Sequence, residues 1–99
     1  MDVLSQRKKV IGAYESTWLT TPWPRLVLLE NGITEAYLNG KKYDGKWKIV
    51  DGEIHTDDGD IGVWRINKDR SITHIANIDK DGKRKEIPKG EQTTFKRIK

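Results

Sequence analysis

The stretch Lys46–Thr56, KWKIVDGEIHT, decides the fold. Asp-Gly supplies the positive φ angles that a two-residue hairpin turn demands. A turn at Asp51-Gly52 pairs Ile49 with Ile54 and Trp47 with Thr56 on one face. Lys48 and His55 then share the other face. Apolar and polar residues alternate with the period of two expected of a half-buried strand. Five more Asx-Gly pairs follow this pattern: Asn31-Gly32, Asn39-Gly40, Asp44-Gly45, Asp58-Gly59 and Asp81-Gly82. Together the six pairs use six of the nine glycines, so the chain reads as a series of antiparallel hairpins.

Strands are predicted over Val10–Tyr14 (running on toward Trp18), Arg25–Glu30, Ile33–Leu38, Lys46–Val50, Glu53–Thr56, Ile61–Ile66, Ile72–Ile78, Lys83–Ile87 and Thr93–Ile98. Residues 2–9 suit a short helical turn with Asp2 as its cap. A two-residue turn at Asn31-Gly32 pairs Leu29 with Thr34 and Val27 with Ala36. Asn39-Gly40 and Asp44-Gly45 lie too close to flank a full strand, so one of them is read as a bulge or part of a wider loop. Asp79–Gly82 suits a type I turn with a glycine bulge. The Asn67–Ser71 turn places Arg70 where glycine is expected. Short strands with turns every few residues, and no helix between them, argue for a meander in a barrel or sandwich. The fold class is therefore all-β: an antiparallel up-and-down meander of about eight short strands. Trp47, Ile49, Ile54, Trp64, Ile66 and Ile72 are expected to be buried, and Lys46, Lys48 and His55 exposed.

A chain of 99 residues is read as one domain, residues 1–99. Hydrophobic and charged residues each make up 34%, so the core is thin. Four Trp and three Tyr partly compensate, because aromatic rings bury large areas. A homodimer that covers exposed sheet would help further. There is no Cys, which excludes disulfides and thiolate metal sites. No apolar run approaches membrane-spanning length. The N-terminal MDVLSQRKKVIGAYE does not read as a signal peptide; if the protein is exported, such a segment has been removed. The net charge is +4, unevenly placed. Residues 51–60 hold five acids and no Lys or Arg, whereas residues 83–99 hold seven Lys and Arg.

No constellation points to catalysis. The chain has no GxSxG, HExxH or CxxC motif and no glycine-rich phosphate loop. Asn77-x-Asp79-x-Asp81-Gly82 copies the first half of a calcium-binding loop, but Pro88 stands where the bidentate Glu belongs. Asp57, Asp58 and Asp60 read as turn formers. No metal, cofactor or catalytic residue is expected. His55 points outward beside Lys48. Ile72, His74, Ala76 and Ile78 share one strand face, so His74 points inward, either as a satisfied core histidine or as a polar anchor in a ligand cavity. Trp23 sits between Pro22 and Pro24 in the Leu19–Pro24 loop. It is a candidate binding contact, and the plainer reading has Trp18 or Trp23 plugging one barrel end.

The segment Val10-Ile11-Gly12-Ala13-Tyr14 resembles the Gly-x-Trp signature of lipocalin-like (calycin) barrels, with Tyr in place of Trp. The phrases GKWKIVDGEIH and GVWRINKDRSITHIANIDKDGKRKEIP resemble small lipocalin-like β-domains of bacterial proteins of unknown function, often exported or lipid-anchored. The resemblance runs from about Val10 to the C-terminus. It implies a small barrel, a short helical turn before the first strand, and a basic residue late in the last strand lying across the aromatic ring. Lys96 and Arg97 are the candidates for that residue. It also implies a lid at the 19–24 loop.

Three functions follow as expectations. First is a non-catalytic structural or protein-interaction module with a filled interior, acting through an unnamed protein partner. Such a filled interior is usual in eight-stranded barrels. Second is binding of a small apolar ligand, with Trp18, Trp23 and His74 as contacts. Third is single-stranded nucleic-acid binding, ranked last because the Trp residues face the core.

Overall fold

The computed structural model describes residues 3–16, 25–38 and 40–98. Among these, a short helix α1 (Val3–Val10) leads into nine strands: β1 (Gly12–Ser16), β2 (Arg25–Leu28), β3 (Ile33–Leu38), β4 (Lys41–Val50), β5 (Glu53–Asp57), β6 (Ile61–Ile66), β7 (Ile72–Ile78), β8 (Arg84–Glu86) and β9 (Thr93–Arg97). The strands run antiparallel in the order β6-β5-β4-β3-β2-β1-β9-β7, and β7 returns to β6 to close an eight-stranded barrel. No helix among the described residues is long and apolar enough to cross a membrane.

β8 and β9 occupy one flank of β7 in succession. Ile78 and Ala76 pair with Arg84 and Glu86, while His74 and Ile72 pair with Thr93 and Phe95. The last wall of the barrel is therefore one broken strand. Between its halves the chain steps out through a 3-10 turn, Lys89–Glu91.

The Asp51-Gly52 hairpin forms as the alternation predicts. Val50 pairs with Glu53, Ile49 with Ile54, and Trp47 with Thr56. Asp51 and Gly52 have φ of 50° and 80°, as a type I′ turn requires. The Asn31-Gly32 hairpin differs from expectation by one residue. Leu28 pairs with Thr34 and Leu26 with Ala36, so the inward side chains of β2 are Leu26 and Leu28, not Val27 and Leu29. The cause is the turn type. Gly32 N–H donates to Leu29 O and only Gly32 has positive φ, giving a three-residue loop with a glycine bulge. The loop is held from a distance, because Trp47 Nε1 donates to Leu29 O at 2.8 Å and Arg7 donates to Glu30 O.

Asp44-Gly45 is not a turn. Both residues lie inside β4, which starts at Lys41, and Gly45 pairs with Thr34. A Cβ there would sit 2.7 Å from Asp57 O and 2.8 Å from Thr34 Oγ1, so the strands approach as closely as they do only because position 45 has no side chain.

In the Asn67–Ser71 turn, Arg70 has φ of 71°. The strained residue is retained by its surroundings: Asn67 N–H donates to Ser71 O, and the Asp69 carboxylate accepts from the backbone and hydroxyl of Ser71. Arg70→Gly removes the Cβ penalty of the left-handed conformation, and we expect it to stabilise the protein by about 0.5–1 kcal/mol. A denaturant melt checks this, and a clear loss of stability would refute the strain.

The core fills one end of the barrel. Tyr14, Leu28, Ile54, Ile72 and Phe95 are 0–1% exposed, with Val10, Leu26, Trp47 and Trp64 around them and Ile49 and Ile66 packed against them. α1 closes this end. Its Val10 is buried, and the Arg7 guanidinium lies 4.4 Å from the Trp47 ring centroid. Tyr14 and Arg97 tie the helix down. The Tyr14 hydroxyl donates to Val10 O at 2.6 Å, and Arg97 donates to Lys9 O and Ile11 O while standing 6.0 Å from the Tyr14 ring. A cation at a helix C-terminus also opposes the negative end of the helix dipole. Of the two candidates to lie across Tyr14, it is Arg97 that does so.

On the outer wall, Arg84 of β8 forms a two-pronged ion pair with Glu53 of β5, at 2.8 and 3.1 Å. The pair spans β6 and β7, on which Val63 and Ala76 are fully buried. His55 is therefore half-buried rather than exposed as expected, and burial pushes its pKa down. Lys46 and Lys48 are exposed as expected.

A candidate ligand cavity at the open end of the barrel

Opposite α1 the barrel interior changes character. The inward positions there are small or polar: Thr34 and Ala36 on β3, Thr56 on β5, Gly62 on β6 and Thr93 on β9. These side chains cannot fill a barrel end, and they leave a cavity of about 320 Å³. A volume of this size is at the lower edge of what small-molecule sites occupy. Among the described residues, the interior is thus packed beneath the helix and lined by a cavity at the other end. The expected plug of Trp18 or Trp23 lies outside the described residues; among those described, Tyr43, Trp64 and Phe95 line the far end together with the threonines.

Phe95 and Trp64 form the boundary between core and cavity. Their rings meet edge-to-face, with centroids 5.2 Å apart. His74 stacks on Trp64 at 4.8 Å and 18°. It points inward, as its strand alternation predicts, but the face on which it lies is not continuous. Trp64 pairs with His74 while Val63 pairs with Ala76, so Ile75 is an extra residue in β7. This bulge reverses the alternation, turning Ala76 outward and bringing Asn77 onto the cavity wall. His74 Nε2 lies 2.9 Å from Asn77 Oδ1, a bond that a neutral ring protonated at Nε2 donates. Burial holds the His74 pKa below its ordinary value, and the Asn77 bond opposes this only in part. The ring is therefore uncharged near neutral pH.

A second pair of polar groups in the wall is also matched. Trp64 Nε1 donates to Thr56 Oγ1 at 3.1 Å. Gly62 makes this grouping possible, since a Cβ at that position would come within 3.0–3.3 Å of Thr56 Oγ1, Trp64 Nε1 and His74 Nε2. At the mouth stand Tyr43, Asp58 and Asp60. Asp58 Oδ1 accepts from Asp60 N, and neither carboxylate is in an ion pair among the described residues.

Of the three residues singled out in the sequence, His74 lines the cavity, and Trp18 and Trp23 lie outside the described residues. Asn77 escaped sequence reasoning because only the bulge turns it inward. The half-copied calcium loop is put to other uses. Asp79 Oδ1 accepts from Asp81 N and Lys83 N, and Asn77 faces His74. Asp57 Oδ1 likewise caps Gly59 N as a turn former. No group of three His, Cys, Asp or Glu suited to a metal ion occurs among the described residues.

The described residues thus form a small antiparallel eight-stranded barrel, closed by a helix at one end and lined by a cavity at the other, an architecture consistent with lipocalin-like barrels. Comparison with family models, curated proteins and solved structures gave no match.

Proposed function

We propose that the barrel is a non-catalytic binding module that takes a small, largely apolar molecule into its open end. One observation carries this reading: an internal volume of about 320 Å³ bounded by Leu26, Ala36, Trp64 and Phe95, with a few polar groups already bonded to each other. A pre-formed apolar pocket with sparse, fixed polar groups is the usual make-up of a small-molecule site. It is favoured over a purely structural module because filling the interior would have been more stabilising than leaving it hollow. Nucleic-acid binding is disfavoured, since Trp47 and Trp64 are 4% and 6% exposed and offer no outer stacking face. We also place the chain with the small bacterial lipocalin-like β-domains. Support comes from α1 before the first strand and from Arg97 across Tyr14 after the Gly12-x-Tyr14 step.

The two described indoles provide an internal control. Trp64 Nε1–H borders the cavity, whereas Trp47 Nε1–H is committed to Leu29 O at the helix end. Titrating phenethyl alcohol into ¹⁵N-labelled protein should move the Trp64 indole signal saturably and leave that of Trp47 in place. A ligand of this size should bind with Kd of roughly 10 μM to 1 mM. Ala36→Phe, which places a ring in the cavity, should abolish the shift without loss of the folded spectrum. Equal movement of both indoles, or none, would refute the reading.

A further inference from the structure

Charge at the cavity runs against the charge of the chain. The protein carries 19 Lys and Arg against 15 Asp and Glu. Yet among the described residues that line the cavity there are two carboxylates, Asp58 and Asp60, and no Lys or Arg. Among the described residues, neither carboxylate is in an ion pair. The other polar side chains of the wall, Thr56, His74 and Asn77, carry no charge that would offset the two acids.

We infer that the cavity selects small aromatic amines, with the ring seated against Phe95 and Leu26 and the ammonium at the mouth between Asp58 and Asp60. The inference rests on the binding function proposed above and names its ligand class. The site is the cavity, and the carboxylates set which charge enters it. The rings of Phe95 and Trp64 in the lining suit the aromatic body of such a ligand. The neutral His74 does not oppose it. A carboxylate-headed ligand such as a fatty acid meets no cation in the described lining, and two like charges at the mouth repel it.

Three probes with one body separate the charge effect from cavity binding itself: phenethylamine, phenethyl alcohol and phenylacetate. The readout is again the Trp64 indole shift, with Kd from isothermal titration. The amine should bind about 3–10-fold tighter than the alcohol, and phenylacetate should bind more weakly than either. Raising the salt from low to about 0.5 M should collapse the spread, because the mouth is solvent-exposed. The double variant Asp58→Asn/Asp60→Asn keeps the Oδ1 acceptor used in the turn. It should bring the amine down to the affinity of the alcohol and leave the alcohol unchanged. Binding of phenylacetate as tight as that of the amine overturns the inference while leaving the cavity function standing. So does an undiminished preference for the amine in the double variant. If none of the three probes binds, the cavity function falls, and this inference with it.

Discussion

Phe95→Ala will lower the stability of this protein by about 3–5 kcal/mol. Phe95 is 1% exposed and meets Trp64 edge-on, so its removal forfeits both burial and an aromatic contact. It also sits on β9, where it pairs with Ser16 of β1 and Ile72 of β7, the two strands that β9 joins to close the barrel. The neighbouring core cannot collapse into the space, because the cavity lies immediately on the other side. Truncation at 95 therefore merges the void with the core instead of creating an isolated gap. A domain of this size has only about 5–15 kcal/mol to lose. Urea denaturation followed by far-UV circular dichroism measures the loss, and Phe95→Leu, which keeps most of the volume, should cost less than half as much. A loss below about 1 kcal/mol for the alanine variant would mean that the ring does not bridge core and cavity.

Gly45→Val will be comparably damaging, by about 3 kcal/mol or more, for the opposite reason. The added Cβ meets a backbone carbonyl, that of Asp57, at 2.7 Å, and the main chain of a paired strand cannot swing aside as a side chain can. β4 must then separate from its neighbours, releasing ladder hydrogen bonds on both sides. Gly40→Ala is the informative contrast. Gly40 has φ of 79° but no atom within 4 Å of a would-be Cβ, so only the left-handed conformation is penalised, at about 1 kcal/mol. Thermal melts of the two variants side by side distinguish a packing glycine from a turn glycine. Equal effects would show that β4 and β5 do not approach each other as described.

These two kinds of glycine explain how far the sequence could be read. Asp51-Gly52 was legible because everything that fixes that hairpin is local: two residues tolerant of positive φ and an unbroken alternation on each side. Asn31-Gly32 has the same letters and a different turn. What distinguishes it lies far away in sequence, in the indole of Trp47 and the guanidinium of Arg7 that bind the loop carbonyls. Asp44-Gly45 misled because a glycine needed for close approach looks the same as one needed for a turn. Ile75 left no trace either: the residues before and after it alternate acceptably, and only pairing with β6 reveals the bulge. The inward direction of His74 could be read from a single strand, whereas the cavity could not. Its wall is assembled from β2 to β7 and β9, and its emptiness depends on small residues that look unremarkable one at a time.

The broken wall formed by β8 and β9 has a consequence for how such a barrel can acquire new properties. The chain leaves the sheet after Ile87, whose N–H is still held by Ile75 O, and rejoins it at Thr93 opposite His74. The turn between, Lys89–Glu91, buries nothing. Extra residues spliced into it would change the length of a detour rather than the register of a strand, and loop entropy rises only slowly with length. Because Thr93 borders the cavity, anything grafted there would emerge beside the mouth. In the currency of evolution or of protein engineering, this is a port: a place where recognition can be extended or redirected while the helix-capped end, where the core is packed, is left untouched.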